Sequence, residues 1–442
     1  MKQQKDFVDS VPAYSATTPV PTRKFNDLPF ALLYALSLCA FTVGCAFLIP
    51  NAFRAFSQQP STPLLLLTFT LTLLFVCMLS GLFIAFALRF PLQTIYASFL
   101  CCLGGLLMFS LVAFVRGAFV GGALALVASL FYAWYFWSIR RYIPFTAALL
   151  KYSKRVFDRR GGIWVLVAGG VVAFVAFSAI WALFVLGAFS TFSSKTANWV
   201  FVGVFLFGAW SGELMTIGVH TVVASVFAEH FLLEKAGKPI SRFPVASSCA
   251  KIAFSFGSIA FGSLLVGVVQ TARMLIGRSN RGNRTNILAL FTSCILGLLE
   301  RIIDFINFYA FIQVALYGLP FLQAAKATFA LMKERGALTL ANHSIISEVL
   351  VLGCAFVCLG SALGTAIAMQ GWAQIQPPLP LLFSAGVFGA GVYGMVVGVL
   401  RSAVATALVC WCIEPSCIES DGEELKGEIQ KKLGASNAEA NV

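Results

Sequence analysis

Charged side chains are scarce in this chain: they make up 11% of its 442 residues, against about 25% in an ordinary soluble domain. Histidine occurs three times, at His220, His230 and His343, so no His/Cys set has the spacing of a zinc site. The sequence also contains no nucleotide-binding loop, nucleophile triad or metalloprotease motif. These absences argue against an enzyme, and they imply no metal and no cofactor.

Long apolar stretches fill the chain instead, and 59% of the residues are hydrophobic. A helix needs about 20 apolar residues to cross roughly 30 Å of hydrocarbon. Ten stretches reach that length, and they are numbered here as spans one to ten: Pro29–Ile49, Pro63–Leu88, Leu92–Val115, Ala118–Ser138, Ile163–Ala188, Trp199–Phe231, Ile252–Leu275, Ile287–Tyr317, Ile345–Met369 and Pro380–Val409. The remaining segments are too short for a soluble domain of ordinary size. The sequence therefore predicts an all-α polytopic membrane protein with about ten transmembrane helices.

The placement of basic residues predicts the orientation of these spans. Seven lysines and arginines lie in the loop 140–160 and four in the segment 235–251, whereas the alternate loops carry one each, at Arg54, Arg116 and Lys195. Loops rich in lysine and arginine usually face the cytoplasm, so we predict cytoplasmic N- and C-termini. Because the basic residues flank apolar spans, the net charge of +13 indicates a lipid bilayer as the partner and not nucleic acid.

The same reasoning divides the chain into three parts. We expect a disordered cytoplasmic tail over 1–28, a ten-helix transmembrane domain over 29–412 and a cytoplasmic C-terminal tail over 413–442. One loop breaks the charge pattern, because four arginines between 273 and 284 lie on the side predicted to be outside. The side of this loop, and whether its sequon asparagine Asn283 carries a glycan, stay open.

Two connectors have the apolar stripe and basic face of a helix lying on a membrane surface. They are Pro144–Asp158 and Leu319–Leu340, and docking against the bundle explains their pattern equally well.

Aromatic residues at the end of span four are typical of the belt at a membrane interface: Tyr132, Trp134, Tyr135 and Trp137. Small residues recur along spans seven and ten, which favours close helix packing. Most of the twelve cysteines lie inside spans, so we predict no structural disulfides.

Ionisable residues inside a membrane are costly and are functional candidates by default. Span six carries Trp210, Glu213 and His220, and the glutamate and histidine lie seven residues apart on one helix face. The carboxylate could attract a cation or titrate during transport. A structural hydrogen bond to a neighbouring helix is the alternative, and the sequence does not choose between them.

Span eight carries a second polar cluster. Glu300, Asp304 and Asn307 share one face of this 31-residue stretch, which is long enough to break near them or to lie partly in the interface. Three aromatic residues follow: Tyr309, Phe311 and Tyr317. A carboxylate among ring faces is the chemistry that holds quaternary ammonium ions, through cation–π attraction. Structural pairing, for example of Asp304 with Arg301, is the alternative.

Two runs of the sequence resemble the choline transporter-like solute carriers. These are FGSIAFGSLLVGVVQ at Phe256–Gln270, and FINFYAFIQVALYGLPFLQAAKATFAL at Phe305–Leu331. Further likeness to the fungal Pns-type branch lies in the opening N-D-x-P-F at Asn26–Phe30, in the basic residues and proline of Arg141–Pro144, and in the placement of Glu213 and His220. The likeness extends over most of the chain up to Glu414.

This resemblance implies a multi-pass protein, most simply of the plasma membrane, that moves choline or ethanolamine without sodium. An oligomer of identical chains is possible, and the sequence does not decide it. The sequence differs from animal members of this family at two places. The loop after span one is short, Asn51–Thr62, where animal members have a large one, and Phe311 stands where they commonly have tyrosine.

The predicted function is therefore transport of choline or a related small organic cation. The predicted binding residues lie on spans six and eight: Trp210, Glu213, His220, Glu300, Asp304, Asn307, Tyr309, Phe311 and Tyr317. A membrane scaffold or regulatory protein that transports nothing is the alternative, and a channel is a third form.

Overall fold

The structure is a computed structural model, and it describes residues 24–57, 62–192, 194–235, 242–279, 287–373 and 379–413. Every regular element in these ranges is helical. Most of the two predicted tails, Lys238 in the basic loop and Asn283 with its sequon lie outside the described residues. Residues 24–28, the end of the predicted N-terminal tail, are described, and Asn26 and Asp27 are hydrogen-bonded there.

The helices are numbered here in chain order. A short 3₁₀ turn, Arg140–Tyr142, joins the fourth helix to the fifth. The twelve α-helices are α1 Leu28–Ser57, α2 Thr62–Arg89, α3 Pro91–Val115, α4 Phe119–Ile139, α5 Ile143–Arg159, α6 Gly162–Thr191, α7 Ser194–Lys235, α8 Pro244–Ala253, α9 Phe256–Ser279, α10 Ile287–Tyr317, α11 Phe321–Ala373 and α12 Leu379–Ile413.

The number of predicted spans is confirmed. Nine helical segments in the described ranges are long and apolar enough to cross a membrane, and a bent pair made of α10 and the start of α11 brings the total to ten. Helices satisfy every backbone hydrogen bond within one segment, which is why an apolar chain adopts them in lipid. The cytoplasmic placement of the termini stays a prediction.

The chain forms two compact units, which are described separately. The first unit comprises Met1–Leu67 and Gly162–Lys333, and the second comprises Thr68–Gly161 and Glu334–Val442. In the first unit, α1 packs against α6 and α9, and α7 packs against α6, α9 and α10. Aromatic rings fill the core between α1, α6 and α7: the ring centroid of Phe41 lies 5.0 Å from that of Phe184 and 4.8 Å from that of Phe207.

In the second unit, α3 and α4 form a tight helical hairpin, and α5 packs against α3 and α12. Gly117 permits the hairpin turn, because its φ of 76° is one that other residues rarely adopt. The apolar stripe predicted for the first surface helix is buried on α5: Phe145, Leu149, Tyr152 and Val156. The docking alternative is therefore the correct interpretation of this connector.

The second predicted surface helix, Leu319–Leu340, is not a separate element. It is the first part of α11, which continues to Ala373 without a break. The break predicted as one possibility near Glu300 is also absent, and α10 runs unbroken to Tyr317. The bend of 108° comes after Tyr317. There, Gly318 adopts a φ of 65° and Pro320 cannot donate a backbone hydrogen bond.

Span seven begins later than predicted, at Phe256 and not at Ile252. The short helix α8 ends at Ala253, and the carbonyl of Phe254 accepts a hydrogen bond from the backbone amide of Asn26 at 3.1 Å. This carbonyl is therefore paired outside its own helix, and the hydropathy pattern carries no sign of that long-range partner.

Close packing at small residues is confirmed for α9. A side chain at Gly257 would overlap the backbone of Asn26 and Asp27, and one at Gly267 would lie 3.1 Å from the backbone nitrogen of Trp210. On α12 the pattern is mixed. Gly389 packs against Ser361, whereas Gly394 and Gly398 face open space.

Candidate functional site

The predicted binding residues of span six lie on α7, where this helix meets α9 and α10. Trp210 is 4% exposed, and its indole N–H donates to the carbonyl oxygen of Ala260 on α9 at 2.9 Å. Its ring meets that of Tyr34 on α1 edge-on, at 5.1 Å between centroids. Trp210 is therefore directed towards α1 and α9, and its polar atom is already paired with the backbone.

Glu213 lies one turn further along α7 and is half-buried. Its Oε1 accepts a hydrogen bond from the side-chain amide of Gln270 on α9 at 2.9 Å. An amide can hold a carboxylate in place without neutralising its charge, because the amide is a neutral donor. The hydrogen bond from Gln270 thus holds Glu213 between α7 and α9.

His220 lies two turns beyond Glu213 and is 6% exposed. Its ring stacks on that of Phe308 of α10, with 4.4 Å between centroids and 18° between planes. Its Nε2 lies 3.2 Å from the carbonyl oxygen of Phe308. Since a carbonyl can only accept, this contact favours the tautomer with the proton on Nε2. His220 therefore joins α7 to α10.

The predicted residues at the centre of α10 are buried. Asn307 donates from Nδ2 to the carbonyl oxygen of Gly262 at 3.0 Å, and Tyr309 meets the rings of Phe305 and Phe308 edge-on. Phe311 is fully buried and packs against the space that Gly262 leaves by lacking a side chain. A tyrosine hydroxyl at Phe311 would have to fit at this same contact.

The acidic residues of span eight are separated by the structure. Glu300 forms an ion pair with Arg273 of α9. Asp304 is exposed, and Tyr317 is half-buried at the end of α10. Because Glu300 pairs with an arginine on another helix, one carboxylate of the predicted acidic cluster is neutralised.

The structure brings the predicted residues to one three-helix region without gathering them around one point. Glu213, His220 and Asn307 each connect two of the helices α7, α9 and α10. Trp210 and Tyr309, both among the predicted binding residues, belong to different ring clusters, since Trp210 pairs with Tyr34 and Tyr309 pairs with Phe305 and Phe308.

A cluster at the start of α1 joins three helix ends. The Asp27 carboxylate accepts from the hydroxyl of Ser258 on α9 at 2.6 Å and from the backbone amide of Phe321, the first residue of α11, at 2.9 Å. The side-chain amide of Asn26 donates to the carbonyl oxygen of Gly318 at 2.7 Å. We call Asn26, Asp27, Ser258, Gly318 and Phe321 the helix-end cluster.

A negative charge at a helix N-terminus is stabilised by the backbone N–H groups that have no partner inside the helix. Asp27 supplies such a charge near the first turns of both α9 and α11. Sequence reasoning noticed the Asn26–Phe30 motif without assigning it a role. Gly318 and Pro320 are residue types that commonly interrupt a helix, so the sequence indicated the bend. The hydrogen bond between Asp27 and Phe321 could not be predicted, because nearly 300 residues separate the two.

A second polar cluster lies in the second unit, where no binding residue was predicted. Tyr132 of α4 donates from its hydroxyl to Oε2 of Glu348 on α11 at 2.9 Å. Tyr135 forms a side-chain hydrogen bond with Ser344, one turn before Glu348. The predicted aromatic belt is thus divided: Trp134 and Trp137 are 65% and 62% exposed, whereas the two tyrosines face the interior of the unit.

The described ranges contain no group of three His, Cys, Asp or Glu side chains that could hold a metal ion. Ten cysteines are free thiols: Cys39, Cys45, Cys77, Cys101, Cys102, Cys249, Cys354, Cys358, Cys410 and Cys412. Two described carboxylates, those of Glu213 and Glu348, accept hydrogen bonds from neutral side chains, whereas Glu229 and Glu300 pair with basic ones.

Comparison with known proteins gives a consistent result. Residues 123–416 match the family described as plasma-membrane choline transporter. The chain is 32% identical to Protein PNS1 of Gibberella zeae, over 77% of this chain and 69% of that protein. It is 25% identical to Protein PNS1 of Saccharomyces cerevisiae, over 78% of this chain and 71% of that protein.

Proposed function

Because the chain belongs to the choline transporter-like family, we propose that it carries choline or a related small organic cation across a membrane by a sodium-independent, facilitated route. The family is one of membrane transporters, and the ten apolar segments provide the helices that such a protein needs. We further propose the plasma membrane as its location, and a carrier function without enzymatic activity.

The hydrogen bond between Glu213 and Gln270 is the observation that carries this proposal. It holds a carboxylate inside an apolar helix pair, where an ionised group is costly unless it has a task or a compensating charge. A cation that enters beside Glu213 would be attracted by this carboxylate. The bond to Gln270 would keep the carboxylate directed at the same point as ions come and go.

The proposed binding region extends from Glu213 along the junction of α7, α9 and α10. Trp210 and Tyr309 would each present a ring to a cation at a different point along this junction, and His220 and Asn307 would hold the helices at a fixed separation. We place Phe311 in the wall, since it packs on Gly262. On α10, Glu300 and Asp304 would form a polar approach on the side before Asn307, and Tyr317 would lie at the opposite end of the helix.

The charge of Glu213 is tested by the substitution Glu213→Gln, which preserves shape and removes charge. Uptake of labelled choline into vesicles containing the purified protein should fall at least about tenfold, which corresponds to roughly 1.4 kcal/mol of lost attraction. Glu229→Gln is a matched control on the same helix, since Glu229 already pairs with Lys251. It should leave uptake per folded molecule unchanged.

The ring faces are tested by Trp210→Ala and Tyr309→Ala, measured as choline affinity. A desolvated cation–π contact contributes about 2 kcal/mol, so each loss should weaken binding roughly 30-fold. The proposed site is wrong if all three variants fold normally and bind choline with wild-type affinity. Wild-type protein that moves no amine of a labelled panel would favour a scaffold that transports nothing.

A further inference from the structure

Glu348 is a carboxylate whose partners in the structure are neutral. It accepts the hydrogen bond from Tyr132, and the Cys102 thiol of α3 interacts with both groups. Among the described residues Glu348 forms no ion pair. Two other glutamates provide the contrast, because Glu229 pairs with Lys251 and Glu300 with Arg273.

The position of Glu348 makes this lack of a counter-charge costly. It lies in the apolar segment Thr339–Gln370, which is long enough to cross a membrane. Nine residues separate Glu348 from the start of that segment, or roughly 14 Å of helix. The nearby arginine of α12, Arg401, contacts His343 at 3.4 Å and does not reach Glu348. A carboxylate in such surroundings requires a cation or a proton.

Tyr132 belongs to a cluster of three aromatic rings. The centroid of Phe99 lies 6.0 Å from that of Tyr132 and 6.2 Å from that of Tyr135, and the two tyrosine rings are 6.0 Å apart. Rings at these separations touch one another, so no ion fits among them. The tyrosines and Glu348 are only half-buried, so an ion would reach the carboxylate from the exposed side of this cluster.

The polar groups at this point favour one class of cation. The Glu348 carboxylate accepts from the Tyr132 hydroxyl, and the Cys102 thiol is close enough to interact with it. A carboxylate has about four acceptor sites, and a phenolic oxygen can also accept N–H donors. An ammonium ion with N–H groups could therefore bond to both and lie over a ring face. A quaternary ammonium ion has no such hydrogen to donate.

We propose that Glu348, Tyr132, Tyr135 and Phe99 form a second cation site, which binds a small ammonium ion that carries N–H donors. Glu348 supplies the charge, the tyrosine oxygens supply acceptors, and the rings supply an apolar wall with negative faces. The site lies wholly within the second unit. It does not rest on the function proposed for Glu213, which lies in the first.

Binding of methylammonium to the purified full-length protein tests the proposal, with tetramethylammonium as the probe that lacks N–H groups. Glu348→Gln keeps an acceptor for the Tyr132 hydroxyl and removes the charge, so the methylammonium Kd should rise at least about tenfold. Tyr132→Phe should raise it about threefold to tenfold, in line with one lost hydrogen bond of roughly 1 kcal/mol. The wild-type protein should bind tetramethylammonium at this site at least about tenfold more weakly.

Two controls separate this site from other effects. Tyr393→Phe removes a hydroxyl that is buried in the same unit and has no partner among the described residues, and it should leave the methylammonium Kd unchanged. Glu229→Gln removes a carboxylate charge that is already paired with Lys251, and it should also leave that Kd unchanged.

Either of two results would overturn the proposal: no methylammonium binding by the wild-type protein, or equal binding by wild-type and folded Glu348→Gln protein. If Glu348→Gln does not fold, an unchanged Kd in Tyr132→Phe would overturn it instead. Methylammonium binding that is lost in Glu213→Gln and retained in Glu348→Gln would place the ion in the first unit and contradict the second site. Loss of choline uptake alone bears only on the function proposed for the first unit.

Discussion

Replacing Asp27 with alanine is expected to destabilise the protein by about 3 kcal/mol, because two hydrogen bonds to a charged group are lost together. The carboxylate accepts from the Ser258 hydroxyl and from the Phe321 amide, and these donors belong to two different helices. The change would also leave the N-termini of α9 and α11 without their negative partner. Thermal unfolding of the purified protein in detergent, and the yield of monodisperse protein, measure the effect.

Two further variants make the result specific. Asp27→Asn keeps an acceptor oxygen and tolerates the φ of 52° at this position, so it should lose less than half as much stability. Asp158→Ala removes an exposed aspartate at the end of α5 and should change stability by less than about 0.5 kcal/mol. Unfolding of Asp27→Ala at the wild-type temperature would show that the helix-end cluster does not hold these helices together.

Replacing Gly187 with alanine should cost about 3 kcal/mol or more, since overpacking a rigid contact exceeds the usual penalty. A methyl group at this position of α6 would overlap the backbone carbonyl of Leu48 on α1. Backbone cannot rotate away as a side chain can, so α1 and α6 would have to separate. The nearby bond from Asn51 to Thr191, at 3.1 Å, would be strained by the same movement.

Gly169→Ala is the matched control, because Gly169 lies on the same helix and faces open space. Alanine is favoured over glycine in a helix by about 1 kcal/mol, so this variant should be neutral or slightly more stable. Gly187→Ala should therefore lower the unfolding temperature and the folded yield, whereas Gly169→Ala should leave both unchanged or raise them slightly. Equal stability of the two variants would contradict the close contact between α1 and α6.

The spans were predictable because length and apolarity alone decide whether a helix can cross a membrane. Span eight was predicted at both its ends, Ile287 and Tyr317. The first residues of α9 and α11 were harder to predict from the sequence. They depend on Asn26 and Asp27, whose hydrogen bonds reach residues more than 200 positions away. A local pattern carries no information about such partners.

The candidate sites were likewise only partly predictable from the sequence. Glu213 was identified because a carboxylate in an apolar span is visible in the sequence, yet its partner Gln270 was not predicted. Glu348 was equally visible in span nine and was overlooked. Tyr132 and Tyr135 were interpreted as interfacial residues, because nothing local distinguishes them from Trp134 and Trp137. The structure separates them through a contact across 216 residues.

The helical course of α11 within the second unit has a geometric consequence for its polar contacts. A helix turns by roughly 100° with each residue, so Ser344 and Glu348, four residues apart, lie on one face and meet the two tyrosines of α4 together. Inserting a single residue between them would rotate Glu348 about a quarter turn away from Ser344. The contacts of Tyr132 with Glu348 and of Tyr135 with Ser344 thus depend on the number of residues between Ser344 and Glu348, with no loop in which an error could be absorbed.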